Sequence, residues 1–177
     1  MNNKLYLFVE GNDDERFFNN ILERISECTG INQNLIFIIP FQQKKNSYIN
    51  KQIKKAKKYN DPYFFITDKD SDKFKCYTQR KQKRFEEYKE LELNKIVVVN
   101  EEIESWYFSG LKNYSLLKNT ENLSYYCSKE DFNESLHSPN DKIQCLVEIM
   151  EHFDFNLAIK NNDSFRYFIK KTKENFY

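Results

Sequence analysis

Three runs of apolar residues, each stopped by a knot of acidic ones, constrain what this chain can fold into more than any other feature. They read LYLFVEGNDDE (Leu5–Glu15), YFFITDKDSD (Tyr63–Asp72) and IVVVNEEIESW (Ile96–Trp106). A short unbroken run of aliphatic and aromatic residues between polar turns is the pattern of a strand buried on both faces, the usual state in a parallel sheet. A carboxylate just past such a strand falls at the carboxyl edge of the sheet, where open α/β folds keep their sites. Three exits from one sheet can therefore bring Glu10, Asp68, Asp70 and Glu104 together. Crowded carboxylates repel one another, so a cluster of this kind calls for a hard divalent cation, magnesium or manganese.

The stretches between these runs predict the rest of an α/β fold. Lys4–Val9 reads as the first strand. A helix follows from Asp13, with Phe17, Phe18, Ile21, Leu22, Ile25 and Cys28 on one stripe. Asp13, Asp14 and Glu15 suit the positive end of its dipole, and Thr29-Gly30 ends it. A second strand is expected at Leu35–Ile39, stopped by Pro40, and a basic helix at Ser47–Tyr59, closed by Asn60-Asp61-Pro62. Tyr63–Thr67 is the third strand, Thr78–Leu91 a charged helix and Lys95–Val99 the fourth strand. Strands alternating with helices predict right-handed β-α-β units and a mainly parallel, four-stranded sheet flanked by helices. After Trp106 the pattern is helical. Residues 113–133 read as irregular, Ile143, Leu146, Val147, Met150 and Phe153 as one amphipathic stripe, and Phe165, Phe168 and Ile169 as another. The expected division is a domain at 1–110 and a helical extension at 111–177.

Composition removes several function classes. At 177 residues, 40% hydrophobic and 16% aromatic, the chain has enough apolar mass for one core and is not expected to be disordered. No apolar run reaches the roughly 20 residues that span a bilayer, and the N-terminal stretch turns acidic without a signal-peptide cleavage site, which favours the cytoplasm. Four cysteines without a C-x-x-C pair and two histidines leave little material for a zinc site or a serine hydrolase triad. Three glycines exclude a phosphate-binding P-loop and a dinucleotide fingerprint. Net charge is +1, yet Lys44–Arg84 holds fourteen Lys and Arg against four Asp, a surplus of +10 that leaves −9 for the remainder. A basic face beside an acidic site suits a polyanion, and Lys44, Lys45, Lys51, Lys54, Lys55, Lys58, Lys69, Arg80 and Arg84 are its candidate nucleic-acid contacts. Tyr48, Tyr59 and Tyr77 lie among them, as stacking or as packing residues.

Each acidic motif has its own logic. Glu10-Gly11 marks a strand-to-helix turn where glycine permits unusual backbone conformations and close approach of a ligand. Asp68, Asp70 and Asp72 alternate, so in extended chain they point the same way. An EF-hand loop would need Gly at its sixth position and Glu at its twelfth, where Lys73 and Gln79 stand, so that reading fails. In the third cluster, if Ile103 and Trp106 face the core of a short helix, Glu102 and Glu104 are not expected to face one spot.

These motifs resemble a known superfamily. Glu10-Gly11 after one strand and Asp68-x-Asp70 after a later one resemble the TOPRIM domain of topoisomerases, primases and nucleases. The string VEGNDDERFF, with Asp14 four residues past the glutamate, is similar to the nuclease branch, which holds the overcoming-lysogenization-defect proteins and the small ribosomal RNA maturases. NEEIESWYF and NNDSFRYFIKK resemble small stand-alone TOPRIM-like proteins of bacterial defence loci, often found beside an ATPase. A Pro expected before E-x-E-x-W is absent; Asn100 and Glu101 stand there. The resemblance implies a TOPRIM-like, Rossmann-like sheet and a nuclease using one or two Mg2+ or Mn2+ ions, with DNA favoured over RNA and an ATPase partner. It implies Glu10 as general acid or base and metal ligand, Asp68 and Asp70 as catalytic ligands with Asp72 in support, and Asp14 and Glu104 at a second metal position. Glu102 is a further candidate. The rival readings are a nucleotide phosphotransfer enzyme and a non-catalytic binding subunit.

Overall fold

A computed structural model describes residues 4–70, 73–118, 120 and 123–176. Four strands, β1 (Leu5–Val9), β2 (Ile36–Pro40), β3 (Tyr63–Asp68) and β4 (Ile96–Val99), form one parallel sheet in the order β2-β1-β3-β4. The register sets Val9 beside Pro40 and Asp68 beside Val99, so the residues leaving β1, β3 and β4 emerge along one edge. Helices flank this sheet, giving the α/β architecture that strand–helix alternation predicts.

Side-chain alternation splits the core into two layers. Leu5, Leu7, Val9, Phe64, Ile66, Val97 and Val99 face α1 (Asn12–Thr29) and the C-terminal helices. Tyr6, Phe8, Tyr63, Phe65, Ile96 and Val98 face Ile49, Ile53 and Ala56 of α2 (Asn46–Lys58). α3 (Tyr77–Glu87) packs beside β4. The first layer is aromatic: Phe17 meets Trp106, Tyr107, Phe153 and Phe165, and Phe18 meets Trp106 and Phe168. Trp106 belongs to α4 (Glu104–Ser109), and Phe165 and Phe168 to α8 (Asp163–Glu174), which packs on β4 and α1. α1 stops at Gly30, whose φ of 70° only glycine adopts freely.

The C-terminal third departs from expectation in two places. Residues 113–133 were expected to be irregular. Instead they hold a 3₁₀ turn at Tyr114–Leu116 and most of α5 (Lys129–Ser135), which Ser128 caps by accepting from the Asp131 N–H. α6 (Lys142–Glu151) buries Leu146 and Ile149, while Ile143 stands 61% exposed. The helix is turned because Lys142, Leu146 and Ile149 share one face, and Lys142 reaches buried carboxylates. α7 (Phe155–Asn161) completes the set. No helix among the described residues is long and apolar enough to cross a membrane.

Candidate functional site

A polar cavity of about 310 Å³ lies at the carboxyl edge of the sheet. Six carboxylates line it: Glu10, Asp13, Asp14, Asp68, Glu102 and Glu104. Glu10 leaves β1, Asp13 and Asp14 open α1, Asp68 ends β3, and Glu102 and Glu104 lead into α4. The third element is pinned to the sheet by a buried polar relay. The Asn100 N–H and the Trp106 indole N–H both donate to Ser164 Oγ, and Ser105 Oγ donates to the Asn100 carbonyl.

These carboxylates divide by partner. Both oxygens of Glu10 are engaged: Oε2 accepts from the Asp68 N–H at 2.8 Å, and Oε1 accepts from Arg80 Nη2 at 3.1 Å, from Arg84 Nη2 and from Gln42 Nε2 at 3.4 Å. Glu104 and Asp13 share the Lys142 ammonium at 2.8 Å each. Glu102 accepts from the Lys129 N–H. Like Glu102, Asp14 and Asp68 have no ion pair among the described residues. Asp14 Oδ2 accepts from the Gly11 N–H at 3.2 Å, but Asp14 Oδ1 and Asp68 Oδ1 are buried with no hydrogen-bond partner.

The titration of the cavity follows from that division. Burial, and then the Glu10 charge, push the Asp14 carboxyl up to about 7. Burial pushes Asp68 well above the usual carboxylate range, and the Asp14, Glu10 and Glu104 charges push the same way. Burial and then Arg84 lower Arg80 despite its carboxylate neighbours. The rim also carries backbone in the left-handed region, at Asp70 (φ 56°) and Glu101 (φ 57°), two non-glycine residues in loops joined by the Lys69 N–H donating to the Glu101 carbonyl.

A buried carboxylate oxygen without a donor is unfavourable, and two on residues that line the same cavity more so. The partner that such oxygen chemistry takes is a hard cation, so the donor set fits magnesium or manganese. Among the described residues, no three His, Cys, Asp or Glu side chains are already arranged to hold one ion. Two of the cavity's anions, Glu10 and Glu104, are drawn instead to the guanidinium and ammonium groups.

The structure thus brings together Glu10, Asp68 and Glu104, as the strand exits predict, and adds Asp14, a position that only the family resemblance implies. Asp70 does not line this cavity but shares Arg80 Nη2 with Glu10, at 3.2 Å, and pairs with Lys73 at 3.6 Å; Asp72 lies outside the described residues. Glu102 and Glu104 do line one cavity, contrary to the spacing argument. Glu102 precedes α4 rather than belonging to it, and the left-handed turn at Glu101 redirects the chain. Gly11 is extended (φ −143°), and a Cβ there would meet only Gln42 Oε1 at 3.8 Å, so no unusual backbone conformation accounts for it. Arg80 and Arg84 are not surface contacts: spaced four apart on α3, both turn inward onto Glu10. Lys69 is held by Glu101 at 2.9 Å, whereas Lys44, Lys45, Lys51, Lys54, Lys55 and Lys58 are exposed. Asp13, Gln42 and Lys142 went unrecognised as site residues. Gln42 had the same signal as the acids, a position just past a strand; Lys142 had none.

No protein-family model and no curated protein sequence matches the chain. Among solved structures, the C-terminal region of the Burkholderia pseudomallei OLD protein is similar over 99% of this chain and 99% of that one, with a TM-score of 0.45 and 16% identity.

Proposed function

We propose that the chain is a metal-dependent nuclease that hydrolyses phosphodiester bonds, with DNA favoured over RNA. The observation that carries this reading is the pair of buried, donorless carboxylate oxygens on Asp14 and Asp68, in a cavity walled by Glu10 and Glu104. The resemblance to TOPRIM nucleases supports it, because Glu10-Gly11 follows β1 and Asp68-x-Asp70 follows β3. Asp14 and Asp68 would hold the cation, with Glu104 and Glu102 within the same cavity. Bound magnesium or manganese would supply Lewis acidity toward a phosphate oxygen and toward the attacking water.

The chain's own groups do the rest. Glu10, with both oxygens engaged, fixes the Asp68 backbone and the two guanidinium groups, so its first role is positioning. Lys142 holds Glu104 in place. The exposed lysines of α2 would meet flanking phosphates without regard to sequence. A cytoplasmic setting in a bacterial defence locus, with an ATPase partner to gate the activity, is the context this resemblance implies.

The test compares wild type with Asp68→Asn on supercoiled plasmid, single-stranded DNA and RNA, in manganese or EDTA, alongside melting curves in both. Metal-dependent cleavage and a metal-induced rise in Tm, both lost in the variant, are expected. A metal-induced rise without cleavage of any polymer would point to short nucleotides as substrates. Neither cleavage nor a rise would leave a binding subunit and sink the nuclease reading.

A further inference from the structure

A second cavity, also about 310 Å³, opens between α3 and α8 beside the edge strand β4, and its wall differs in kind from the carboxylate site. Tyr77, Lys81, Asn100, Asp163, Ser164 and Tyr167 line it. The volume is at the lower end of the roughly 300–1,000 Å³ usual for small-molecule sites. Two aromatic rings stand in this wall while still open to solvent, Tyr77 at 43% and Tyr167 at 37% exposure. Ammonium groups hover over both: Lys69 is 5.4 Å from the Tyr77 ring, and Lys81 and Lys171 are 5.5 and 5.9 Å from the Tyr167 ring. These separations sit near the outer limit of about 6 Å for such contacts, so they are weak and exchangeable.

Charge in the cavity is unbalanced. Asp163 is engaged by Arg166 and Tyr126. Lys81 is half-buried, and burial together with the Lys171 ammonium lowers its pKa with no carboxylate acting against them. Lys171 is paired with Glu174 at 3.0 Å, whereas Lys81 has no ion pair among the described residues. A half-buried cation beside exposed aromatic rings supplies the two components of a single-strand binding platform, in which bases stack and phosphates meet lysine. A base inside a duplex has its faces covered by its neighbours and cannot stack on a protein ring; an unpaired one can. Location agrees. Asn100 lines this cavity, and the turn it opens carries Glu102 and Glu104 into the carboxylate cavity, so one short turn separates the two.

We propose that this cavity receives one nucleotide of a single-stranded nucleic acid, its base stacked on the Tyr77 and Tyr167 rings and its phosphate held by Lys81. A stacked base displaces the Lys81 ammonium from the Tyr167 ring, and that group then serves the phosphate. The class of ligand rests on the nuclease reading above, but the cavity uses none of its carboxylates.

Fluorescence anisotropy with a labelled ten-nucleotide oligo-dT in EDTA tests it without cleavage. Tyr167→Ala is expected to weaken binding roughly 5- to 100-fold, the usual worth of one stacked base. Tyr167→Phe, which keeps the ring, is expected to bind within about twofold of wild type. Lys81→Gln should weaken binding and lower the salt-dependence slope by about 0.7, one phosphate contact on a single strand. Lys54→Gln on α2 is the control and should weaken binding less than Tyr167→Ala. The proposal is overturned if wild type does not bind, if Tyr167→Ala and Lys81→Gln bind as wild type does, or if Lys54→Gln has the larger effect. Displacement of the strand by thymidine monophosphate at the strand's own dissociation constant would also overturn it, in favour of a free-nucleotide site. The two readings fail separately. Tyr167-dependent binding without cleavage keeps the cavity and removes the nuclease, while metal-dependent cleavage with Tyr167-independent binding does the reverse.

Discussion

Asp14→Asn should make the protein more stable above neutral pH, and the size of the gain follows from the site. The folded Asp14 carboxyl titrates at about 7, against an ordinary value of 3.8. Between those two values the native state holds a proton that the unfolded chain has released, so stability falls as pH rises through that window. The gap of about three pH units, at roughly 1.4 kcal/mol each, sets a ceiling of about 4 kcal/mol, fully expressed only above pH 7. For a chain of this length that corresponds to roughly 10 °C in Tm. Asparagine removes the titration and keeps an oxygen for the Gly11 N–H. The assay is urea unfolding in EDTA at intervals from pH 4.5 to 8.5 on both proteins. Near pH 4.5 the variant should lead by only about 1 kcal/mol; by pH 8 it should lead by about 2–4 kcal/mol. Asp68 is raised in part by the Asp14 charge, so its own shift shrinks in the variant and that relief adds to the lead at high pH. Parallel curves across the range, or a variant less stable at pH 8, would refute the account of Asp14 as a buried carboxyl lacking a counter-charge.

Other perturbations probe the supports of the site. Gly110→Ala sets a Cβ 2.2 Å from the Phe153 ring, so a loss of about 1–3 kcal/mol by thermal melting is expected, relieved in part by adding Phe153→Leu. Lys142→Met strands the buried Glu104 carboxylate; a loss of about 3 kcal/mol in urea unfolding is expected, and one under 1 kcal/mol would show that Glu104 does not depend on that ammonium. Ser164→Ala leaves the Asn100 N–H and the Trp106 indole N–H without an acceptor, which predicts a loss of about 2–3 kcal/mol together with a change in tryptophan emission.

What could be read from the chain beforehand, and what could not, has a consistent physical basis. The parallel sheet and the convergence of Glu10, Asp68 and Glu104 were legible because unbroken apolar runs fix the strands, and strand exits in a parallel sheet share an edge; Asp14 was legible only through the family resemblance. Arg80 and Arg84 were misread because a charge count treats every cation as solvated. Their spacing of four on a helix directly after an acidic loop was the available sign that they face one inward point. The orientation of α6 was hidden because Lys142 is fixed by Asp13 and Glu104, 129 and 38 residues away, and periodicity sees only neighbours. The joint placement of Glu102 and Glu104 depends on one left-handed residue, Glu101, which composition does not announce.

The partition of partners in the carboxylate cavity bears on how such a site can exist at all. Six carboxylates with no counter-charge would oppose folding, yet six carboxylates fully neutralised by arginine and lysine would leave nothing for a cation to gain. Here Arg80 and Arg84 neutralise Glu10, and Lys142 neutralises Glu104 and Asp13, so the carboxyl edge of the sheet is tied together from α1, α3 and α6 by the chain alone. Asp14, Asp68 and Glu102 are left without an ion pair among the described residues, and Asp14 Oδ1 and Asp68 Oδ1 are buried without a donor. On the proposed reading the first group makes the fold independent of metal and the second makes the affinity. The two jobs are then separable by mutation. Removing Lys142 should lower stability in EDTA while leaving the metal-induced rise in Tm, and removing the Asp68 carboxylate should abolish the rise without lowering stability in EDTA. If both substitutions changed both quantities alike, the cavity would be a single cooperative charge network, and the assignment of Asp14 and Asp68 as the cation's own ligands would lose its basis.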